Sequence, residues 1–530
     1  MNYYKKQEDK MEAKYLVIME VSQKQAFIFS SNELKDNVTN SAIIAWVTNP
    51  KFFEEQISDR SIYSTEKNIV YSGGGHTVLV FDKEENAEKF VQTITLRVME
   101  KYEGLELFAK RLKCEGTITG EELKQLSQEL EVKKSKRKSA FHQGSFGIES
   151  KNERKKYKMP EEEEKIDKEL MAENFNRVWK FKDLGGTKHE SNFIAVVHID
   201  GNAMGKRVEE FRESIKDKPW EEYRKAQKEF SDNIDKAFKN AYKEMVEEVA
   251  NRINEGKLQE LDLKHSNFPV RRIITAGDDI CFVSEGRIGI ECAAVFLKKL
   301  KKQNYSACAG VAIVHQKYPF YRAYELAESL CSNAKKFVAN IDPDDENISR
   351  HVSAIDWHIE YGEMKESLEE IREMYEIQDP TDPSRLELRP YIVDIVEVSE
   401  ALEKIKEKIK EKEDLRWYEN FKKLMKKFSN EEISYARGKI KELRSYLKQG
   451  ETAADYYMDC NLIDELSLIG YQDVYVDVDS KELFTGKQLE RKSFKQTKDG
   501  KKRCLLFDAI EILDTFIALD KEEGGNERED

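Results

Sequence analysis

Short apolar runs broken by glycine-containing turns alternate with stretches of helical periodicity as far as residue 314. Residues 15–21 read as a buried strand and 31–47 as a helix. Residues 68–81 read as strand, turn and strand, with Ser72-Gly73-Gly74-Gly75 at the turn. Amphipathic spacing predicts a helix over 84–107, a closing strand over 114–118, and a helix over 121–131. The pattern then returns. Residues 193–199 form an apolar run that ends in Asp200-Gly201, and a helix starts just beyond. Residues 271–283 read as strand, tight turn and strand, with Ala276-Gly277-Asp278-Asp279 at the turn. A helix over 287–302 and a strand over 305–314 close the second set. Strand, helix, hairpin, helix, strand is the ferredoxin-like split βαβ order, and it occurs twice. The two glycine turns are expected to line one cleft between two such units.

Further on, 321–340 reads as a helix containing Ala334-Lys335-Lys336, 351–361 as a strand, 363–375 as a helix and 388–391 as a turn. From 393 to about 469 the chain is highly charged with apolar residues at helical spacing. A small hairpin over 474–487 and a strand and helix over 502–519 follow. The expected fold class is α+β: two ferredoxin-like domains, 14–131 and 191–392, and a helical C-terminal domain, 393–519; the resemblance given below implies that both are palm domains. Residues 132–190 read as a charged linker, whose part 133–164 runs from Lys133-Lys134-Ser135-Lys136-Arg137-Lys138 to Glu161-Glu162-Glu163-Glu164. Residues 1–13 read as a flexible N-terminus and 520–530 as an acidic, disordered tail.

Composition narrows the class. A length of 530 residues exceeds what one core usually serves. A net charge of −13 argues against a broad nucleic-acid-coating surface, though not against a local basic groove. The 7 cysteines are scattered without a Cys-x-x-Cys pair, which fits a reducing cytoplasm and offers no zinc-ribbon signal. No signal peptide and no membrane-spanning apolar run are evident. The expected location is cytoplasmic.

The chemistry-bearing residues cluster at the turns. Adjacent carboxylates at a hairpin tip are costly unless solvated or neutralised, and a divalent cation would neutralise them. An ordinary Gly-Asp turn is the competing reading. Asp200 at a strand end adds a third carboxylate, so Asp200, Asp278 and Asp279 are candidate catalytic and metal-binding residues. Gly201-Asn202-Ala203-Met204-Gly205 can present backbone amides at a helix start, which suits a triphosphate. The Ser72–Gly75 loop lacks acids. It either lets backbone approach a phosphate or ribose, or merely closes a hairpin. Lys335 either meets phosphates or lies on a solvated face.

Taken together these motifs resemble the large polymerase-like subunit of type III CRISPR effector complexes, or a stand-alone antiviral relative of it. That family's second palm carries Asp-Gly-x-x-Met-Gly followed by a Gly-Gly-Asp-Asp hairpin, similar to Asp200–Gly205 and Ala276–Asp279. Its first palm has a Ser-Gly-Gly-Gly loop similar to Ser72–Gly75. The opening Val21-Ser22-Gln23-Lys24-Gln25-Ala26-Phe27-Ile28-Phe29, Tyr318-Pro319 and Ala334-Lys335 recur in the family's order. The likeness covers roughly 14–120 and 190–395. It implies a nucleotidyl cyclase that makes cyclic oligoadenylates from ATP with Mg2+ or Mn2+. In that scheme Asp200 and Asp278, with help from Asp279 and the backbone carbonyl of Ile199 or Gly201, hold metal, and Lys335 and residues 202–205 hold the triphosphate. Ala276 and Gly277 belong to the nucleotide-binding hairpin, and Ser72, Gly73, Gly74 and Gly75 hold a second ATP. Implied partners are CRISPR effector subunits with guide and target RNA, or a separate effector protein. Three departures stand out: no nuclease domain precedes the first palm, a charged linker replaces a zinc module, and Ala276 replaces glycine. A diguanylate-cyclase-like enzyme and a non-catalytic ATP-binding scaffold are the alternatives.

Overall fold

The computed structural model describes residues 13–115, 118–136, 156–184, 192–261, 263, 266–343, 346–362, 365, 367–377, 383–396, 405–407, 416–428, 437–461, 493–497 and 500–519. In chain order the first set is β1 (Lys14–Ser22), α1 (Lys24–Ile28), α2 (Leu34–Val47), α3 (Pro50–Gln56), α4 (Thr65–Asn68), β2 (Ile69–Gly73), β3 (His76–Phe81), α5 (Glu84–Lys101), β4 (Glu106–Cys114), α6 (Gly120–Ser135) and α7 (Glu161–Glu169). The next set is β5 (Phe193–Gly201), α8 (Met204–Ser214), α9 (Trp220–Asn254), β6 (Val270–Ala276), β7 (Asp279–Glu285), α10 (Gly289–Lys301), β8 (Ala307–His315) and α11 (Phe320–Ile341). The chain continues through α12 (Glu346–His351), β9 (Val352–Ile359), α13 (Leu368–Glu373), β10 (Glu376–Ile377), β11 (Ser384–Arg385) and β12 (Tyr391–Ile395). Helices Tyr418–Phe428, Arg437–Leu447 and Glu451–Cys460, strands β13 (Phe494–Gln496) and β14 (Lys502–Cys504), and helix Phe507–Glu511 complete it.

The first sheet has the order β2-β3-β1-β4, with β1 antiparallel to both β3 and β4. That is the ferredoxin-like order expected from the sequence. Its first strand packs Leu16, Val17 and Met19 out of solvent, so apolar side chains line both faces of β1. Two boundaries differ from the sequence reading. Helix α5 stops at Lys101, because Gly104 adopts φ +80° and turns the chain into β4. The closing strand is therefore 106–114, not 114–118; it pairs from Lys14↔Cys114 to Ser22↔Glu106.

The second sheet has the order β12-β9-β8-β5-β7-β6. Its β8-β5-β7-β6 part repeats the ferredoxin-like order. β9 extends it parallel to β8, and β12 pairs antiparallel to β9. The stretch 391–395 thus completes a sheet, where the sequence suggested that helical structure begins at 393. In the C-terminal segment β14 and helix Phe507–Glu511 fall where a strand and helix were expected over 502–519, and β13 and β14 join β10 and β11 in a small sheet ordered β10-β11-β14-β13. The hairpin expected at 474–487 lies outside the described residues.

The chain divides into two compact units. Unit 1 comprises Met1–Leu170, Ala203–Lys239 and Arg272–Ile280; unit 2 comprises Met171–Asn202, Asn240–Arg271 and Cys281–Asp530. In unit 1 one apolar cluster joins Leu16, Val70 and Val80 of the sheet to Leu123, Leu126 and Leu130 of α6, and takes in Ile215 and Tyr223. The supposed linker is partly built structure here. A capping box at Thr119 and Glu122 starts α6 one turn of sequence after β4, and the helix continues through Ser135. The acidic run 161–164 is the first turn of α7, where negative charge suits the helix dipole. Residues 137–155 lie outside the described residues.

In unit 2, α11 lies directly on β8 because Gly310 has no side chain. A Cβ there would collide with the Ala327 carbonyl and the Cys331 amide. Arg389, fully buried, pairs through Nη1 with Asp508 at 3.0 Å and Glu511 at 2.7 Å. These contacts tie helix Phe507–Glu511 to the residues just before β12. Among the described residues, no helix is long and apolar enough to cross a membrane.

Candidate active site

Asp200 is the last but one residue of β5, with its side chain 40 % exposed. Lys335 reaches it from α11. Its Nζ lies 2.5 Å from Asp200 Oδ2 and donates to the Gly201 carbonyl at 2.9 Å. Two hard oxygen ligands, one carboxylate and one backbone carbonyl, thus converge on a single cationic point. Both are among the groups that the family resemblance offers to metal, and an ammonium sits against them here. Burial disfavours the charged form of Lys335, but Asp200 beside it prevails and the pKa is raised. Two residues earlier on the strand, His198 is buried against Tyr324, and burial lowers its pKa.

The turn after β5 is tight. The Asn202 amide donates to the Ser306 carbonyl at 3.0 Å, and its buried side chain donates to the Val352 carbonyl at 2.8 Å. Asn202 is therefore a brace between strands, and its amide is already engaged rather than aimed at a phosphate. Ala203 sits at φ +52°, a left-handed position, and α8 begins at Met204. A Cβ at Gly205 would meet nothing within 4 Å, which leaves backbone there approachable.

The acid hairpin belongs to unit 1. Gly277 has φ +67° while Asp278 does not, the pattern of a type II′ turn. Ala276 is the last residue of β6, in extended conformation, so its methyl costs the hairpin no backbone strain. Asp235 Oδ1 accepts from the Gly277 amide at 3.3 Å and is itself paired with Lys239 at 2.7 Å. At the strand's start, Arg272 pairs with Asp167 of α7 at 3.4 Å and donates to Thr275 Oγ1 at 2.6 Å. Sequence reasoning missed Asp235 and Asp167. The first sits on a long charged helix with no distinguishing pattern, and the second in what reads as linker.

The glycine loop is also in unit 1. Gly74 and Gly75 have φ +60° and +78°, the two positive values of a type I′ hairpin, so both glycines are required by the turn itself. Ser72 Oγ donates to the Thr48 carbonyl at 2.6 Å, which anchors the loop to the end of α2. Lys24 Nζ donates to the Gly74 carbonyl at 2.5 Å. Asp279 also acts electrostatically on Lys24 and favours its charged form. His76 follows the loop, with its ring 5.1 Å from that of Tyr71. Burial, aided by Lys24, lowers its pKa to about 4.

A pH prediction follows for His76. Below its ordinary pKa the unfolded chain binds a proton that the folded protein refuses until about pH 4. Stability is expected to fall as pH drops across that window, by roughly 2–4 kcal/mol from this group. Denaturant titrations at stepped pH should show a shallower acid limb for His76→Phe. An identical slope in both proteins would refute the assignment.

Among the described residues, no group of three or more His, Cys, Asp or Glu side chains is arranged to hold a metal ion. Asp200 is paired with Lys335, and Asp279 faces the charge of Lys24. Asp200 and the Gly201 carbonyl still fit a hard cation, since Lys335 brings one positive charge within hydrogen-bonding distance of both.

A ferredoxin-like sheet, with an Asp-Gly strand end and a Gly-Asp-Asp hairpin, defines a palm domain of the nucleotide cyclase and polymerase type. Residues 193–340 match the family model described as "Cas10/Cmr2, second palm domain", so this segment is similar to that palm. No curated protein matches the chain. Among solved structures, the chain is similar to a Csm1-Csm4 cassette in complex with cA3, at 16 % identity and TM-score 0.44 over 65 % of this chain and 54 % of that one. A Csm1-Csm4 cassette in complex with cA4 gives 14 % and 0.43, over 69 % and 58 %. A Csm1-Csm4 subcomplex of the type III-A CRISPR-Csm interference complex gives 15 % and 0.42, over 65 % and 54 %. The match spans little more than half of each of those chains.

Proposed function

We propose that this protein is a palm-type nucleotidyltransferase that joins ATP into cyclic oligoadenylate second messengers in antiviral defence. The observation that carries this is the convergence of the Asp200 carboxylate and the Gly201 carbonyl on one cationic point, inside a segment matching the Cas10/Cmr2 second palm.

In this reading Asp200, the Gly201 carbonyl, Asp278 and Asp279 hold Mg2+ or Mn2+. The metal supplies neutralisation of charge developing on the α-phosphate and the departing pyrophosphate. Lys335 exchanges Asp200 for the triphosphate, so its ammonium stays paired throughout. The Met204 and Gly205 amides, at the start of α8, add donors to the same phosphates. Asp235 holds the Gly277 turn so that the hairpin acids keep their aim, and the Ser72–Gly75 loop receives the second ATP. The protein would work with type III effector subunits and guide and target RNA, or with a separate effector. Residues 14–131 would act as the acid-free palm, 191–392 as the catalytic one and 393–519 as the C-terminal domain.

The test is incubation with labelled ATP and, separately, GTP, with Mg2+ or Mn2+, followed by mass analysis of products. Cyclic oligoadenylate from ATP is expected. A guanine dinucleotide product would favour the diguanylate-cyclase reading. Tight ATP binding without product, with activating RNA and partners present, would favour the scaffold.

A further inference from the structure

Lys24 stands out among the groups that the function above leaves unused. It lies in the turn after β1, behind Gln23, which takes the left-handed φ of 49°. That backbone kink aims α1 so that the Lys24 side chain lies along the glycine loop. A Cβ on Gly75 would sit 3.0 Å from Lys24 Cε and 2.9 Å from Ile44, so loop and lysine are in close contact. The ammonium donates to the Gly74 carbonyl. Glu20 comes only to 3.9 Å from it, because Lys134 holds Glu20 at 2.7 Å. Arg212 of α8 bonds the Tyr71 hydroxyl, one residue before the loop. Three cations, Lys24, Lys134 and Arg212, therefore surround the Tyr71–His76 hairpin. Glu20 and Asp279 both act on Lys24 as acids.

A type I′ glycine hairpin needs no cation to close. A half-buried ammonium loses part of its hydration, and here burial lowers its pKa. Its placement makes sense if an anion completes the site. The geometry points to Lys24 as the residue that binds the phosphates of a nucleoside triphosphate at the glycine loop of unit 1, with Lys134 and Arg212 adding to the field. This rests on reading the loop as a second nucleotide site. It adds a positioning residue that sets affinity for that nucleotide.

The experiment is calorimetric titration of the full chain with Mg2+ and the non-hydrolysable analogue adenylyl imidodiphosphate, alongside steady-state kinetics with ATP. Wild type should bind two equivalents. Lys24→Met keeps the apolar stem and removes the charge. It should weaken one site about tenfold or more and raise KM, with kcat at saturating ATP changing far less. Lys24→Arg should restore most of the affinity. Glu20→Gln, which removes the competing carboxylate, should tighten the same site and so gives a result of opposite sign even if Lys24→Met folds poorly. Two unchanged sites in Lys24→Met, or no tightening in Glu20→Gln, would overturn the assignment. If wild type binds two equivalents but makes no product, the enzymatic reading fails while this one stands.

Discussion

Replacing Asp278 and Asp279 together by Ala is expected to abolish nucleotide-product formation, by about a thousandfold or more, in a protein that still folds. Carboxylates that hold a divalent ion supply several kcal/mol of transition-state charge neutralisation, and roughly 1.4 kcal/mol is tenfold in rate. The fold should survive because both residues sit at a hairpin tip whose turn is set elsewhere. Gly277 supplies the left-handed backbone, and Asp235 holds its amide. Asp279 does act electrostatically on Lys24, so the variant leaves that ammonium with Glu20 as its nearest acid. A small change in thermal midpoint is therefore expected in calorimetry. Asp200→Ala should match the double variant in activity, whereas Ser72→Ala should cost less, because the Ser72 hydroxyl is already spent on Thr48. Wild-type turnover by the purified double variant would remove these residues from the active site.

The second large effect is on stability. Gly310→Val is expected to destabilise unit 2 by roughly 3–5 kcal/mol, with a corresponding fall in denaturant midpoint. A side chain at 310 would meet the Ala327 carbonyl, the Cys331 amide and Leu330 Cβ, the last at 2.9 Å. Two of those atoms are helix backbone and have no rotamer in which to yield. Helix α11 would have to lift from β8, and Lys335 would leave Asp200 with it. Loss of ATP binding is expected to accompany the loss of stability. A variant that keeps its midpoint would show that α11 can shift at little cost. Gly362→Ala is a fair control, since a Cβ there meets nothing within 4 Å and its φ is unremarkable.

The two ferredoxin-like sheets were legible from the chain alone, because β-strand burial writes short apolar runs and type I′ and II′ turns demand glycine. Both signals are local. Asp200, Asp278 and Asp279 stood out as candidates for a similar reason, since each sits in a short motif at a strand end or turn. The α5–β4 boundary was not, because the stretch after Lys101 keeps apolar residues at a spacing that suits either element. Only the antiparallel pairing of β4 with β1 makes it a strand. Nor does local pattern reveal that the acidic run 161–164 opens a helix whose Asp167 braces Arg272, a partner 105 positions away. Asp235 at the Gly277 turn, Lys24 at the Gly74 carbonyl and Lys335 at Asp200 are likewise long-range choices. Sequence by itself determined where the chain turns and which residues carry charge at the turns. Tertiary structure alone decided which charges meet, because an ion pair depends on distances that folding creates between positions with no shared pattern.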